Sequence, residues 1–271
     1  METLRVAAVQ VTSTSDVDRN LARCADLIGE AAGRGARLVG LPENFAFIGE
    51  EQEKLALAES LDGPPGRILG TMAGLAREAN SWLLLGGMGE RSDDAKRVHN
   101  TSVLLRPDGT IAARYRKIHL FDVNIADGAV FQESATVKPG ADLVVADTPW
   151  GGLGLSVCYD LRFPELYRTL VSRGARMLAV PAAFTLFTGK DHWQVLLRAR
   201  AIENLCWMFA PAQTGRNNEK RHCYGHACII DPWGVVVADA GDREGLAVAD
   251  LDFAAQDRIR KELPSLDHRR L

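Results

Sequence analysis

The sequence has no excess of positive charge, no long apolar run and no paired set of cysteines, and each absence removes a class of protein. Lysine and arginine total 32 against 35 acidic residues, a formal net charge of -3. That leaves no positive field to draw the chain onto nucleic acid or anionic lipid, so neither partner is expected. No window approaches the ~18 consecutive apolar residues of a spanning helix. The opening Met1-Glu-Thr-Leu-Arg-Val-Ala-Ala-Val-Gln10 is a short apolar alternation rather than the basic start and longer apolar run of a signal peptide. Five scattered cysteines, an odd number, argue against a disulfide framework and for a reducing, cytoplasmic compartment. No Ser/Gly/Pro linker or low-complexity block interrupts the chain, so residues 1–271 are expected to form one domain.

What is present is ample core material: 46% of the 271 residues are hydrophobic and 25% charged. Apolar runs of strand length alternate with segments of helical period, the pattern of an α/β fold in which helices cover sheets. A strand over Arg5–Val11 precedes a helix over Val17–Arg34 and a second strand over Ala36–Leu41. A helix over Gly66–Glu78 precedes the strand Trp82–Gly86. Strand pairs joined by turn chemistry follow: Thr101–Leu105 with Thr110–Tyr115, Leu143–Ala146 with Leu153–Val157, and Ala227–Ile230 with Val235–Ala238. A long helix is expected over Asp191–Asn204, and a polar tail after Asp252. Residues 122–142 read as a long loop, and loops of that length in compact domains tend to carry function.

Three side chains stand where strands end. Cys158 closes an apolar run just before Pro164, which suits the first turn of a helix. A thiol at such a turn would lie near a helix N-terminus that favours thiolate and offers backbone N–H groups to an oxyanion; the competing reading is an inert buried cysteine. Glu43 follows Leu38-Val-Gly-Leu-Pro42, at the carboxyl end of a strand where α/β sheets bind ligands, although a lone glutamate is ordinarily a cap or a solvated acid. Lys117 takes the face opposite to Arg114 and Arg116 under strict alternation, against the ordinary reading of a solvated edge lysine. Together they supply a nucleophile, a proton carrier and a cation for an oxyanion, the equipment of acyl transfer. His222, Cys223, His226 and Cys228 fit no standard zinc spacing and are expected to bind no metal. His119 and His192 read as scaffold, and the tryptophans beside apolar runs read as core.

Leu41-Pro-Glu-Asn-Phe45, Tyr115-Arg-Lys-Ile-His-Leu-Phe-Asp122 and Cys158-Tyr-Asp-Leu-Arg-Phe-Pro-Glu-Leu166 closely resemble the three catalytic motifs of the nitrilase superfamily, specifically its Nit amidase branch. The likeness extends nearly end to end, through Phe131-Gln-Glu-Ser134, Gly189-Lys-Asp-His-Trp193, Tyr224-Gly-His226 and Pro264-Ser-Leu-Asp-His-Arg-Arg270. The resemblance implies a four-layer α-β-β-α sandwich assembled as a homodimer or higher homo-oligomer. It implies a catalytic Glu43, Lys117 and Cys158, with Glu133 as an accessory glutamate and Lys117 with the Tyr159 backbone N–H as oxyanion donors. It implies no cofactor.

The reaction so implied is hydrolysis of a small carboxylate-bearing amide to acid and ammonia through a cysteine thioester. The segment Thr214-Gly-Arg-Asn-Asn-Glu-Lys-Arg-His-Cys-Tyr-Gly-His226 resembles the loop of deaminated glutathione amidases more than that of omega-amidases. It departs from their pattern at Asn217, Asn218 and Cys223. Arg162, Arg216 and Arg221 are the expected substrate-binding cations. Deaminated glutathione is the first expected substrate and 2-oxoglutaramate the second, with nitriles and N-carbamoyl compounds as alternatives. A redox-sensing thiol protein and a non-catalytic scaffold are the competing classes.

Overall fold

The computed structural model describes residues 3–50, 52–124 and 130–270. Strand β1 (Thr3–Val11) alternates its side chains between two cores. Leu4, Val6 and Ala8 pack toward a second sheet, whereas Ala7, Val9 and Val11 pack toward helices. The first sheet holds β1, β2 (Leu38–Gly40), β3 (Trp82–Arg91), β4 (Val98–Leu105), β5 (Ile111–Arg116), β12 (Ala212–Arg216), β13 (His222–Tyr224) and β16 (Gly245–Asp252). Its path runs β13-β12-β1-β2-β3-β4-β5, with β16 antiparallel along β1. Parallel β1, β2 and β3 need crossovers, and helices α1 (Val17–Gly33) and α3 (Arg67–Ala79), with the short α2 (Glu53–Leu57), lie in those connections.

Helix α1 begins where the Asp16 carboxylate accepts the Arg19 N–H at 3.0 Å. Leu21, Cys24, Leu27, Ile28 and Ala31 then fall on one face and are buried with Ile68, Leu69, Met72, Ala73 and Ala76 of α3. The second sheet runs in the order β15 (Val236–Asp239), β14 (Cys228–Ile230), β11 (Trp207–Ala210), β10 (Ala175–Ala179), β9 (Gly151–Leu155), β8 (Val145–Thr148). Its outer face is covered by α4 (Pro164–Ser172) and α5 (Leu186–Asn204), through Leu166, Tyr167, Leu170, Trp193, Leu197 and Ala201. Helix, sheet, sheet and helix therefore stack as the α-β-β-α sandwich.

The structure corrects the sequence reading in three places. Residues 122–142 are not a plain loop: β6 (Asp122–Asn124) and β7 (Val130–Gln132) form a hairpin, followed by a 3-10 turn at Glu133–Ala135. Part of that expectation, residues 125–129, lies outside the described residues. The tail after Asp252 is helical, α6 (Phe253–Glu262), because the Asp252 carboxylate accepts the Ala255 N–H at 2.8 Å and Phe253 and Gln256 are buried. Helix α5 starts five residues earlier than its apolar period indicates, since Thr185 caps it. Among the described residues no helix is long and apolar enough to cross a membrane.

Candidate active site

The two sheets meet at one end through a seat made by one glycine, Gly86. Strand β3 bulges between Leu85 and Met88, and a Cβ on Gly86 would fall 2.2 Å from the Leu41 carbonyl and 2.4 Å from Pro181 Cβ. Only glycine lets the segment leading into Glu43 touch the segment that follows β10. On that seat Ala183 donates its N–H to Glu43 Oε2 at 3.1 Å, and Cys158 donates its N–H to the Pro181 carbonyl at 2.9 Å.

Four expected side chains converge there. Lys117, 1% exposed, donates to Glu43 Oε1 at 2.9 Å and to Glu133 Oε1 and Oε2 at 3.1 and 2.8 Å. The Phe121 N–H also donates to Glu133 Oε2, at 2.7 Å, which fixes the accessory carboxylate from the β6–β7 side. Asn100, which the sequence reading did not single out, donates to both Glu43 and Glu133. It lies in the polar stretch His99-Asn-Thr-Ser102 ahead of Val103–Leu105, so no local pattern marks it out.

Burial alone would pull the Lys117 ammonium down, yet the charges of Glu133 and Glu43 hold it well above its ordinary range. Burial pushes the Glu133 carboxyl up, but the charge and hydrogen bonds of Lys117 outweigh it and bring the group down to about 2. The Cys158 thiol goes the other way. Burial and the Glu43 charge push it well above its ordinary range, against the smaller pull of Lys117. The resting sulfur is therefore a protonated thiol beside a carboxylate, and not a thiolate favoured by a helix dipole.

The local backbone explains why. Cys158 begins a 3-10 turn, Cys158–Arg162, and α4 starts only at Pro164. Cys158 itself sits at φ 50, in the left-handed region that few non-glycine residues adopt. The buried Asp160 carboxylate holds this turn: it accepts from the Val157 N–H, the Tyr115 hydroxyl, the His119 N–H and His119 Nδ1, at 2.8, 2.7, 3.1 and 2.7 Å. Tyr115 and His119 flank Lys117, so one carboxylate ties the thiol turn to the lysine. His119 also stacks on Phe163 at 3.6 Å, a scaffold position.

Cys158, Glu43, Lys117, Glu133 and Tyr159 line one cavity of about 550 Å³, together with Lys54, Arg162, Lys220 and Arg221. The Arg162 guanidinium lies over the Tyr159 and Phe184 rings at 5.7 and 5.4 Å, and Arg221 over Phe131 at 5.3 Å. Arg216 does not join them, because β12 turns its side chain to solvent. Lys54, from α2, takes a place the sequence reading had not assigned. The His222 to Cys228 group does not converge: His222 is exposed, Cys223 and Cys228 are buried, and His226 bonds Asp239 at 3.0 Å.

Residues 5–261 match the carbon-nitrogen hydrolase family. The chain is 50% identical over 272 residues to a deaminated glutathione amidase of Synechocystis sp., covering 99% of each chain. The crystal structure of the C. elegans NitFhit protein superposes with a TM-score of 0.93 at 41% identity, covering 100% of this chain and 66% of that longer one. A glutamate-to-glutamine mutant of the amidase from Nesterenkonia sp. AN1, with acrylamide added at its active-site cysteine, superposes with a TM-score of 0.78 at 26% identity, covering 96% and 98% of the two chains. With a nitrilase-type sandwich and a buried thiol between a carboxylate and an ammonium, the chain belongs to the carbon-nitrogen hydrolase family and is an amidase by reaction class.

Proposed function

We propose that this enzyme hydrolyses deaminated glutathione through a thioester on Cys158. One observation carries the reading: the cavity of about 550 Å³ that holds Cys158, Glu43 and Lys117 is also lined by four cationic side chains, Lys54, Arg162, Lys220 and Arg221. Its size is that of pockets that bury drug-sized ligands rather than the smallest amides. Deaminated glutathione carries a carboxylate on each side of its scissile amide, and 2-oxoglutaramate carries only one. The naming of the Synechocystis relative agrees with the first.

In this mechanism Glu43 takes the proton of Cys158 as the sulfur attacks the amide carbonyl carbon. Lys117 and the Tyr159 N–H face the resulting oxyanion, and Glu133 holds Lys117 in place. Collapse breaks the C–N bond, with Glu43 returning the proton to the departing nitrogen. A water deprotonated by Glu43 then attacks the thioester, releasing the acid and restoring the thiol. For deaminated glutathione the departing amine is cysteinylglycine, which replaces the ammonia expected of a primary amide. Every role is filled by a side chain or a backbone group, so neither metal nor cofactor enters.

The test is steady-state kinetics on deaminated glutathione, 2-oxoglutaramate and neutral amides or nitriles of matched length. Arg162→Met and Arg221→Ala are expected to raise KM for the dianionic amide about tenfold each, as charge-assisted contacts do. Equal turnover of the neutral compounds, or an unchanged KM in both variants, would remove the assignment.

We also read residues 1–271 as one domain that works in the cytoplasm, where the five unpaired cysteines suit a reducing compartment. A homodimer is supported by an exposed apolar patch: Val195 and Ile202 of α5 beside Trp233 and Val235 at the β14–β15 turn and Val237 of β15, where Gly234 abuts Ile202. A monomer by light scattering, unchanged in mass with concentration, would count against it.

A further inference from the structure

Lys117 shares its two carboxylates with a neutral partner. Asn100, in β4 and 6% exposed, donates through Nδ2 to Glu43 Oε1 at 2.9 Å and to Glu133 Oε1 at 3.2 Å. These are the same two oxygens that Lys117 reaches at 2.9 and 3.1 Å. The backbones are coupled as well, since the Lys117 N–H donates to the Asn100 carbonyl at 2.9 Å. The reverse orientation of the amide would set Oδ1 against two carboxylate oxygens, so the charges dictate which end points inward.

The outward end is equally constrained. Asn100 Oδ1 is buried and has no partner among the described residues. It faces Gly87, where an added Cβ would fall 2.5 Å from Oδ1. The second glycine of the β3 bulge thus makes room for this amide, as the first makes room for the meeting of the sheets. A buried polar atom left unsatisfied is costly, and here it accompanies two inward-facing N–H bonds that no apolar side chain could make.

We propose that Asn100 is a positioning residue: a double donor without charge that orients Glu43 and Glu133 around Lys117 and leaves Glu43 Oε2 to the thiol. The inference rests on reading Cys158 as the nucleophile and Glu43 as its base. Neutrality is what the site requires. A second cation would hold Glu43 in an ion pair and blunt it as a proton acceptor, and a third carboxylate would force a proton into the cluster. An amide supplies two N–H groups and leaves the charge count unchanged. Among the described residues, the other ionisable groups acting on the pair include Lys117 at the end of β5, Cys158 after β9, Lys54 of α2 and Cys223 of β13. Glu43 Oε2 keeps the Ala183 N–H.

Asn100→Leu removes both donors at similar volume, Asn100→Asp replaces them with a carboxylate, and Asn100→Ser keeps one. Two readouts on the purified full chain are compared from about pH 5 to about pH 9: turnover of deaminated glutathione, and alkylation of Cys158 by iodoacetamide followed by mass spectrometry, which needs no substrate. Asn100→Leu is expected to lower kcat about 30-fold with KM little changed, and to move the acid limb of both profiles up by about one pH unit, because withdrawing a donor favours the protonated carboxyl pair. Asn100→Asp should fall further and Asn100→Ser less. An unchanged kcat in Asn100→Leu, or a lowered kcat with the acid limb unmoved in both readouts, would overturn the inference. If circular dichroism shows the leucine variant unfolded, the serine and aspartate variants carry the same decision. A wild-type enzyme in which Cys158 is alkylated no faster than the other cysteines overturns the nucleophile reading and this inference with it, whereas fast alkylation unaltered by any Asn100 change overturns this inference alone.

Discussion

Arg116 and Lys117 are consecutive, and each ends on a buried carboxylate, yet the two ion clusters are built to opposite plans. Arg116 grips Glu90 with two nitrogens at 2.9 and 2.7 Å, Thr101 adds a hydroxyl at 2.7 Å, and Arg114 stands 3.8 Å away. One carboxylate thus faces two cations and a fork that fills its lone pairs. Burial pushes Glu90 up, and these bonds and charges outweigh it and bring it below its ordinary range. No lone pair or proton there is left in demand. Lys117, turned the other way by strand alternation, is a single cation between two carboxylates with a thiol beside them. A cluster with more proton-accepting groups than cations can move a proton, and a saturated ion pair cannot.

The largest expected effect tests the Lys117 side at its thiol. Cys158→Ala should cut turnover at least about 10⁴-fold, with an unchanged circular dichroism spectrum, because only the nucleophile is lost and the volume change is small. Measurable acyl-enzyme or turnover in the alanine variant would remove Cys158 from that role. Next, Glu43→Gln and Lys117→Met should each lose about 10²–10⁴-fold in kcat, one for want of a proton acceptor and the other for want of a cation opposite the oxyanion. Near-normal turnover in a folded variant would mean that the cluster moves no proton.

Arg116→Met sharpens the contrast by moving one residue. It should lower stability by about 2 kcal/mol, since Glu90 stays buried without its fork, while kcat stays near that of the wild type. A loss of kcat matching that of Lys117→Met would erase the distinction between the two clusters. A subtler effect concerns pH. The Glu133 carboxyl is held at about 2 in the fold against ~4.3 in an unfolded chain. Its contribution to stability is therefore complete above ~4.3 and lost as pH falls toward 2. Thermal melts should show the wild type losing Tm more steeply than Glu133→Gln in that window, and parallel curves would contradict the pairing. The smallest effect is none at all: dialysis against a chelator should leave turnover unchanged, and loss restored by zinc would reopen the His222 to Cys228 group.

Element type was largely legible in the sequence because apolar period encodes it locally. The run Leu21, Cys24, Leu27, Ile28 predicts a helix that buries those positions, and the structure buries them. Legibility failed where a cap or a partner overrode the pattern. Thr185 starts α5 before its apolar period begins, and α6 has little apolar period yet docks through Phe253 and Gln256. The β6–β7 hairpin is three residues to a strand, too short for alternation to register.

The sequence alone determined which groups could carry chemistry, because three strand ends each close on a thiol, a carboxylate or an ammonium and strand alternation sets Lys117 apart from Arg114 and Arg116. Only the tertiary structure decided their protonation and their company. Whether Cys158 rests as thiol or thiolate depends on burial and on Glu43, 115 positions away in the chain, and that is a through-space balance without local trace. The same holds for Asn100, ordinary in its strand until the β3 bulge and the crossing of two sheets place it between Glu43 and Glu133. It holds for Arg216 and Lys54 as well, since the direction of β12 and the docking of α2 decide which cation faces the cavity.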